Sequence, residues 1–503
     1  MVTEEIFSLN PLTGEKHAIP ANLDHSKAID DFVLKNKDKP VIVVQGLGFV
    51  GVAMSIVCAN AINGDYAVIG VDLPRPNTYW KIQSINDGHC PIIASDKKIE
   101  LFFNQAKEKG NFLATFDPYA YSKADTIIVD INLDVQKESS FKKDLENFDV
   151  NLNPFKKAMS TIGENCKEDV LIIVETTVPP GTCQKIVKPI ITDSLQKRNL
   201  KTDAFKLGHS YERVMPGPNY IDSIQNFYRV FSGINPESEK ATEDFLRTVI
   251  STKEYPLTKL SNTNSTEIAK VLENSFRAMN IAFMVEWSRF AEEAGADIYE
   301  IVHAIRMRPT HKNIMLPGMG VGGYCLPKDP LLASWARQNL FGGAPLAMSE
   351  KAVETNDKKP LYAYDFMAKT FGSDLKGKNA LILGVAYAPD VFDTRYSPVE
   401  SFYDYLKEQG CNIKLHDPLV SYWEEKQVAI ETSLDKTMAD GNFDIIVIGT
   451  GHKIYRNAPA IVNRIVETKD TFLFDPIGIF SDESIQKMKQ GLGTIKILGR
   501  GNL

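Results

Sequence analysis

Paired cysteines are missing from this chain. Its six cysteines, Cys58, Cys90, Cys166, Cys183, Cys325 and Cys411, are scattered through 503 residues without a CxxC spacing, and the eight histidines form no ligand-like cluster with them. That excludes the signature of a structural zinc site, so no metal is expected, and it points to a reducing compartment, the cytoplasm. Basic runs are also absent: the net charge is −7, charged residues make up 24% and hydrophobic ones 43%. Such a balance describes an ordinary globular protein and offers a nucleic acid nothing to bind. Residues 1–38 lack both an apolar h-region and a cleavage site and read as a polar N-terminal extension. One stretch, 41–64, carries no formal charge and is long enough to cross a bilayer. Its glycines, with Gln45 and Asn60, fit a strand, a tight turn and a buried helix instead, so no membrane span is expected.

A chain of 503 residues exceeds what one core organises, and two or three domains are expected. Short apolar runs alternate with longer amphipathic stretches at Val41–Val44, Tyr66–Val71, Thr126–Ile131, Val170–Val174 and Tyr228–Ile234. A second series runs through Ala380–Leu383, Cys411–Leu415, Asp444–Ile448, Thr471–Phe474 and Thr494–Leu498. Between them lies Thr266–Ala294, rich in helix formers and free of Gly and Pro. The predicted fold class is α/β, with two Rossmann-like doubly wound parallel-sheet domains joined by a long central helix. The expected divisions are an extension (1–38), a dinucleotide-binding domain (39–250), a central helical and dimerisation domain (251–370) and a second Rossmann-like domain (371–503). Many apolar residues around the long helix, among them Phe276, Phe283, Trp287 and Phe290, predict a homodimer or higher oligomer, because such a helix needs more than one neighbour.

Gly46-Leu47-Gly48-Phe49-Val50-Gly51 follows an apolar strand and opens the uncharged helix Val52–Ala61, and the next strand ends at Val71-Asp72. In that context the glycines give a sharp turn, close approach of backbone N–H groups to a pyrophosphate, and tight helix packing. Asp72 suits ribose hydroxyls and favours NAD over NADP, with Arg75 three residues on as a partial offset. Far downstream, Cys325 stands in Gly322-Gly323-Tyr324-Cys325-Leu326-Pro327-Lys328-Asp329, ahead of a predicted helix at Leu331–Gln338. A thiol so placed is shifted toward thiolate. The other five cysteines read as buried and unreactive. A hydride acceptor together with a placed thiol implies oxidation through a thioester. Glu267, Lys270 and Asn274 share a helix face, which taken alone reads as solvated. Glu175-Thr176-Thr177-Val178-Pro179-Pro180-Gly181-Thr182 lies where a strand ends, the ligand-binding edge of a doubly wound sheet.

Together these pieces resemble the nucleotide-sugar 6-dehydrogenase family, the UDP-glucose and UDP-N-acetylhexosamine dehydrogenases, from about residue 40 to Arg500. The motifs occur in order: Gly46–Gly51, Thr176–Thr182, Glu212-Arg213-Val214-Met215-Pro216-Gly217, Lys270 with Asn274, Gly322–Asp329 and Asp393-Thr394-Arg395-Tyr396-Ser397-Pro398. The resemblance implies a four-electron oxidation of a sugar C6 alcohol to a carboxylate with NAD as cofactor and a C-terminal domain for the nucleotide sugar. By the same matching, Cys325 is the nucleophile and Asp329 with Lys270 holds a basic water. Lys270 and Asn274 stabilise the oxyanion, Thr177 holds the attacking water, and Glu212 assists positioning or hydrolysis. NAD would meet Gly46, Gly48, Phe49, Val50, Gly51, Asp72 and Thr177, and Arg395 a bound nucleotide. The sugar nucleotide would meet Glu212, Arg213, Lys270, Asn274, Gly322 and Gly323. Four places depart from the family pattern: Tyr211, Tyr324, the Asp130-Ile131-Asn132-Leu133 sequence, and Ala388. The ERxxPG form at Glu212–Gly217 favours a UDP-N-acetylhexosamine, whereas Lys328 fits the glucose branch and GDP-mannose stands further behind. A nucleotide-sugar binding protein without turnover and a two-electron hydroxyacid dehydrogenase remain alternatives, the second leaving Cys325 unexplained.

Overall fold

Two runs of five wholly buried residues, β3 (Val41–Gln45) and β4 (Ala67–Val71), form the middle of the first sheet. Continuous rather than alternating apolarity is what a parallel strand covered on both faces requires. A computed structural model describes residues 6–138, 144–372, 375–439 and 441–503 of the chain, which groups into two units. The first comprises Met1–Asp134, Val150–Val271 and Trp335–Gly343, and the second Val135–Asp149, Leu272–Ser334 and Ala344–Leu503.

The first unit begins with a hairpin, β1 (Phe7–Leu9) and β2 (Lys16–Ala18), then α1 (Ser26–Lys35), so the described part of the polar extension, from residue 6 on, is folded. After β3, α2 (Phe49–Ala59) leads to β4, α3 (Tyr79–Asn86), α4 (Lys97–Lys109) and β5 (Phe112–Thr115). The chain then crosses back to β6 (Thr126–Val129). A small two-stranded pair, β7 (Val135–Lys137) and β8 (Phe148–Val150), which lies but for Val150 in the stretch Val135–Asp149 that groups with the second unit, precedes α5 (Asn153–Asn165), β9 (Leu171–Val174), α6 (Lys188–Lys197) and β10 (Lys206–His209) of the first. Beyond them lie α7 (Asp222–Gln225), β11 (Val230–Gly233), α8 (Pro236–Val249) and β12 (Thr258–Lys259). The strand order is β12-β11-β10-β9-β6-β3-β4-β5. The direction of build-up reverses between β3 and β6, the switch point at which ligands enter such sheets. The run Tyr228–Ile234 was expected to join the parallel series, but β11 pairs antiparallel to β10. The connection between them carries a single short helix, the four-residue α7, in place of the long crossover helix that usually joins parallel neighbours.

The charge-free run 41–64 is accounted for by β3, a turn and α2, and among the described residues no helix is long and apolar enough to cross a membrane. Helix α9 spans Thr263–Glu293, three residues earlier than expected, and stops at Gly295, whose φ of +69° suits a helix end.

Next along the chain follow α10 (Ile298–Arg306), α11 (Asp329–Asn339), α12 (Ala347–Asp357) and α13 (Lys359–Phe371). The second sheet contains β13 (Asn379–Leu383), β14 (Asn412–His416), β17 (Ile445–Ile448), β18 (Phe472–Asp475) and β19 (Thr494–Ile497), in the order β14-β13-β17-β18-β19 and parallel throughout. Helices α14 (Pro398–Glu408), α15 (Leu434–Ala439), α16 (Pro459–Glu467) and α17 (Asp482–Lys489) connect these strands, with a short ribbon of β15 (Tyr422–Trp423) and β16 (Val428–Ala429). Val399, Phe402, Trp423 and Phe474 fill its core.

Candidate active site

At the end of β3, Gly46 takes φ +100° and donates its N–H to Val71 O at 2.8 Å. A Cβ there would lie 2.4 Å from the Asp130 carbonyl oxygen, and one on Gly51 would lie 1.8 Å from Gly46 O. Both positions are closed to any side chain. Gly48, at the N-cap of α2, has no heavy atom within 4 Å of the place a Cβ would occupy, so this flank is open, and the first turn of α2 carries no acid. Asp72 accepts from Leu47 N at 2.9 Å through one oxygen and from Leu73 N at 2.7 Å through the other. An open helix N-terminus beside a carboxylate at the next strand end fits a dinucleotide. Phe49 and Val50 begin the helix whose free N–H groups would face the phosphates.

Beside this turn, the carboxyl ends of β6 and β9 gather acids. Glu175 is fully buried and ion-paired with Arg229, which also donates to Ser210 Oγ at 3.2 Å. Burial, with the Glu175 and Glu212 charges added to it, holds the Asp130 carboxyl well above the usual range. Burial also raises Glu175, with Arg229 pulling it back. Asp130 Oδ2 and Glu175 Oε2 are buried and have no hydrogen-bond partner among the described residues. Lys270, 7% exposed, donates to the Glu212 carbonyl at 2.8 Å and sits 3.7 Å from its carboxylate and 5.5 Å from the centre of the Tyr211 ring. Arg213 donates to Tyr228 O at 2.8 Å and to the Tyr211 hydroxyl at 3.2 Å.

The loop that carries Thr177 is tied at both ends. Thr176 Oγ1 donates to Val129 O and Ile131 O at 3.1 and 2.9 Å. Gly181 N and Cys183 N donate to the two oxygens of Glu267 at 2.6 and 2.8 Å. Burial lifts the Glu267 carboxyl to about 7, against the pull of those donors. Glu267 is 1% exposed and Asn274 7%, so the helix face read as solvated is covered. Nothing in the spacing of Glu267, Lys270 and Asn274 distinguishes these outcomes.

In the second unit, Asp329 opens α11 and is fully buried. It accepts from Asn274 Nδ2 at 2.6 Å and from Lys328 Nζ at 2.8 Å, and Lys328 Nζ stands 4.6 Å from the centre of the Tyr324 ring. The Cys325 carbonyl accepts from Lys328 N and Asp329 N at 3.1 and 2.9 Å, so the thiol is borne on the turn that starts the helix. Gly322 leaves no room for a side chain, since a Cβ would lie 2.7 Å from Tyr396 O and 2.9 Å from Pro398 Cδ. Gly323 has φ +80°, with the Tyr387 ring 2.8 Å from its missing Cβ. The thiol loop and the Asp393–Pro398 element, which carry two separate motifs, therefore pack on each other. Tyr387 lies between them, its hydroxyl raised by burial and by the Asp393 and Cys325 charges. Arg395 forms a two-point pair with Asp393, Nε to Oδ1 at 2.9 Å and Nη2 to Oδ2 at 2.6 Å.

The second sheet repeats the turn device of the first. Gly384, φ +91°, follows β13 and donates to His416 O at 2.7 Å. Asp417, just past β14, accepts from Val385 N and Ala386 N at 2.9 and 3.2 Å, and His452 Nε2 lies 3.1 Å from it. Sequence reasoning missed Asp417, His452, Arg229, Tyr387 and the roles of Asp130 and Glu267. Only an aspartate one strand after each glycine turn could have signalled any of them.

Residues 40–250 match the NAD binding domain of the UDP-glucose/GDP-mannose dehydrogenase family, 264–358 its central domain, and 381–482 its UDP binding domain. The chain is 29% identical over 457 residues to a UDP-N-acetyl-D-mannosamine dehydrogenase of Methanocaldococcus jannaschii, covering 90% of this chain and 96% of that one. It is 28% identical over 422 residues to the enzyme of that name from Pyrococcus horikoshii, covering 83% and 90%. A solved structure of the UDP-D-ManNAc dehydrogenase from Pyrococcus horikoshii superposes with a TM-score of 0.73 at 25% identity, covering 92% of this chain and 100% of that one.

Proposed function

This chain belongs to the UDP-glucose/GDP-mannose dehydrogenase family and is an NAD-dependent nucleotide-sugar dehydrogenase, and from that premise we propose that it oxidises the C6 alcohol of a UDP-N-acetylhexosamine to the uronate. The observation that carries the reading is the buried Asp329, held by Asn274 and Lys328 at the start of the helix that follows Cys325. NAD, when bound, accepts hydride; Gly46, Gly48, Phe49, Val50, Gly51 and Asp72 would hold it.

Asp329, acting through a water with Lys270, takes the alcohol proton as hydride leaves C6, giving the aldehyde. The Cys325 thiolate adds to the aldehyde carbon, and loss of a second hydride with the hydroxyl proton leaves a thioester. Water held by Thr177 with Glu212 then cleaves it, releasing carboxylate and thiol. Lys270 and Asn274 offset the charge on oxygen through both tetrahedral stages. Arg213, Gly322 and Gly323 position the sugar nucleotide, and Arg395 meets a bound nucleotide. The preference for an N-acetylhexosamine rests on the Glu212–Gly217 sequence and the names of the relatives; Lys328 favours UDP-glucose as the second substrate to try. A homodimer or higher homo-oligomer is proposed from the exposed apolar side of α9, and a cytoplasmic location suits six free cysteines.

Absorbance assays with UDP-N-acetylmannosamine, UDP-N-acetylglucosamine, UDP-glucose and GDP-mannose test this reading. Two NADH per sugar are expected with an N-acetylhexosamine, and Cys325→Ser should abolish the second oxidation. One NADH per turnover with free aldehyde accumulating would reject the thioester route.

A further inference from the structure

The family match begins at residue 40, so the folded segment before it lies outside the matched domains. It packs at the carboxyl ends of β4 and β5. Ser8 is fully buried; its hydroxyl donates to Pro76 O at 2.7 Å and accepts from Trp80 N at 3.0 Å. It thereby satisfies a free N–H in the first turn of α3, whose own N-cap, Thr78, makes no side-chain cap. Asn10 Nδ2 reaches Ser84 Oγ on the same helix at 3.3 Å. At the other end of the segment, His25 N donates to Asp117 Oδ2 at 2.7 Å and its Nδ1 lies 2.9 Å from Thr115 Oγ1. The His25 ring stacks on Phe116 with centroids 5.5 Å apart and planes 17° from parallel, and Tyr79 flanks the same Phe116 ring at 6.0 Å.

These anchors surround Asp72. Its N–H donates to Thr115 O at 3.1 Å, and the loop it opens runs through Leu73, 47% exposed, to Pro76 and Thr78. A dinucleotide with its pyrophosphate at the glycine turn of β3 and its ribose at Asp72 carries its adenine onward, along the order β3-β4-β5, over the end of β5. That end is Thr115 with Phe116, which His25 and the hairpin hold. We propose that residues 7–25 are a positioning segment for the adenosine half of the dinucleotide site, acting through Ser8 on the loop after Asp72 and through His25 on Thr115 and Phe116. Ser8 and His25 touch no cofactor atom themselves; they restrict the wall the adenine meets, and so reduce the ordering that binding would otherwise require.

The proposal rests on the dinucleotide reading of the glycine turn, and calorimetric titration of the full chain separates the two. NAD, AMP (the adenosine half), nicotinamide mononucleotide (the other half) and UDP are titrated into the wild type, Ser8→Ala/His25→Ala and Thr115→Val. The last removes the His25 bond from the sheet side, together with the one Thr115 Oγ1 accepts from Asp117 N at 3.1 Å, and leaves residues 7–25 unaltered. The double variant should bind NAD and AMP roughly 10-fold more weakly and Thr115→Val a few-fold more weakly, with nicotinamide mononucleotide and UDP unchanged. Thermal unfolding should show both variants folded. Unaltered NAD and AMP affinity overturns the proposal, as does equal weakening of all four ligands, which would mean general loosening. A wild type that binds neither NAD nor AMP would remove the dinucleotide reading itself.

Discussion

Glu267 sits where two demands on one carboxylate conflict. Two backbone N–H groups favour its charge, while burial raises its pKa to about 7, so near neutrality it is divided between forms. Because the folded value lies above the unfolded one, the folded chain holds the extra proton. Its contribution to stability is complete below the unfolded value of 4.5 and is lost as pH rises through about 7. Glu267→Gln should flatten stability between these limits, measured by denaturant unfolding at a series of pH values. At low pH it should also cost about 1–3 kcal/mol, since the amide cannot accept from both donors. An unchanged pH profile would mean that Glu267 is not the titrating group. Asp329 is a second buried acid with two donors, Asn274 and Lys328. Asp329→Ala strands Lys328 and Asn274 and should destabilise by about 3–5 kcal/mol. Asp329→Asn keeps the shape, and its proposed role predicts a fall in kcat of roughly 100-fold or more with NAD affinity intact, read by kinetics and titration.

Helix α9 divides cleanly by exposure. Val271, Ala278, Ala282, Met284, Val285 and Ala291 are buried, whereas Leu272, Phe276, Phe283, Trp287 and Phe290 are 47–61% exposed. Phe283, Trp287 and Phe290 touch ring to ring along this face, with centroids 5.9 and 6.1 Å apart, and a contiguous exposed apolar face of that kind marks an interaction site. Phe283→Glu with Phe290→Glu should shift sedimentation at micromolar concentration from dimer to monomer while leaving the helix content by circular dichroism unchanged. A wild type that sediments only as monomer would remove the proposed dimer. The helix itself was legible because a long stretch of good helix formers without Gly or Pro has one regular outcome. Which of its polar residues are covered was not legible, because Glu267, Lys270 and Asn274 are hidden by elements distant in sequence. The glycine turn was legible for the converse reason: its chemistry is local, fixed by backbone approach at Gly46 and Gly51.

Across the whole molecule, the same arrangement occurs once in each sheet: a positive-φ glycine after the first strand and an aspartate after the second that holds the turn's N–H groups. The alternation of strands and helices was readable in both sheets, but the second glycine turn was only a faint echo, since Gly384-Val385-Ala386-Tyr387 lacks the later glycines. What makes the two turns equivalent is Asp417 reaching back across the sheet, a contact that no local pattern reports. Matches to an NAD binding domain over 40–250 and a UDP binding domain over 381–482 assign the two turns different ligands. Hydrogen exchange should read this division directly. Saturating NAD should slow exchange at Leu47 and the first turn of α2, and UDP at Val385, Ala386 and the first turn of α14. At about 100 times the dissociation constant, a ligand that binds only the closed form adds about 2.7 kcal/mol, or roughly 100-fold protection of amides that exchange through opening of its site. If UDP instead protected the Gly46 turn, or NAD the Gly384 turn, the assignment of one nucleotide to each sheet would be wrong, and the family's division of labour would not hold in this chain.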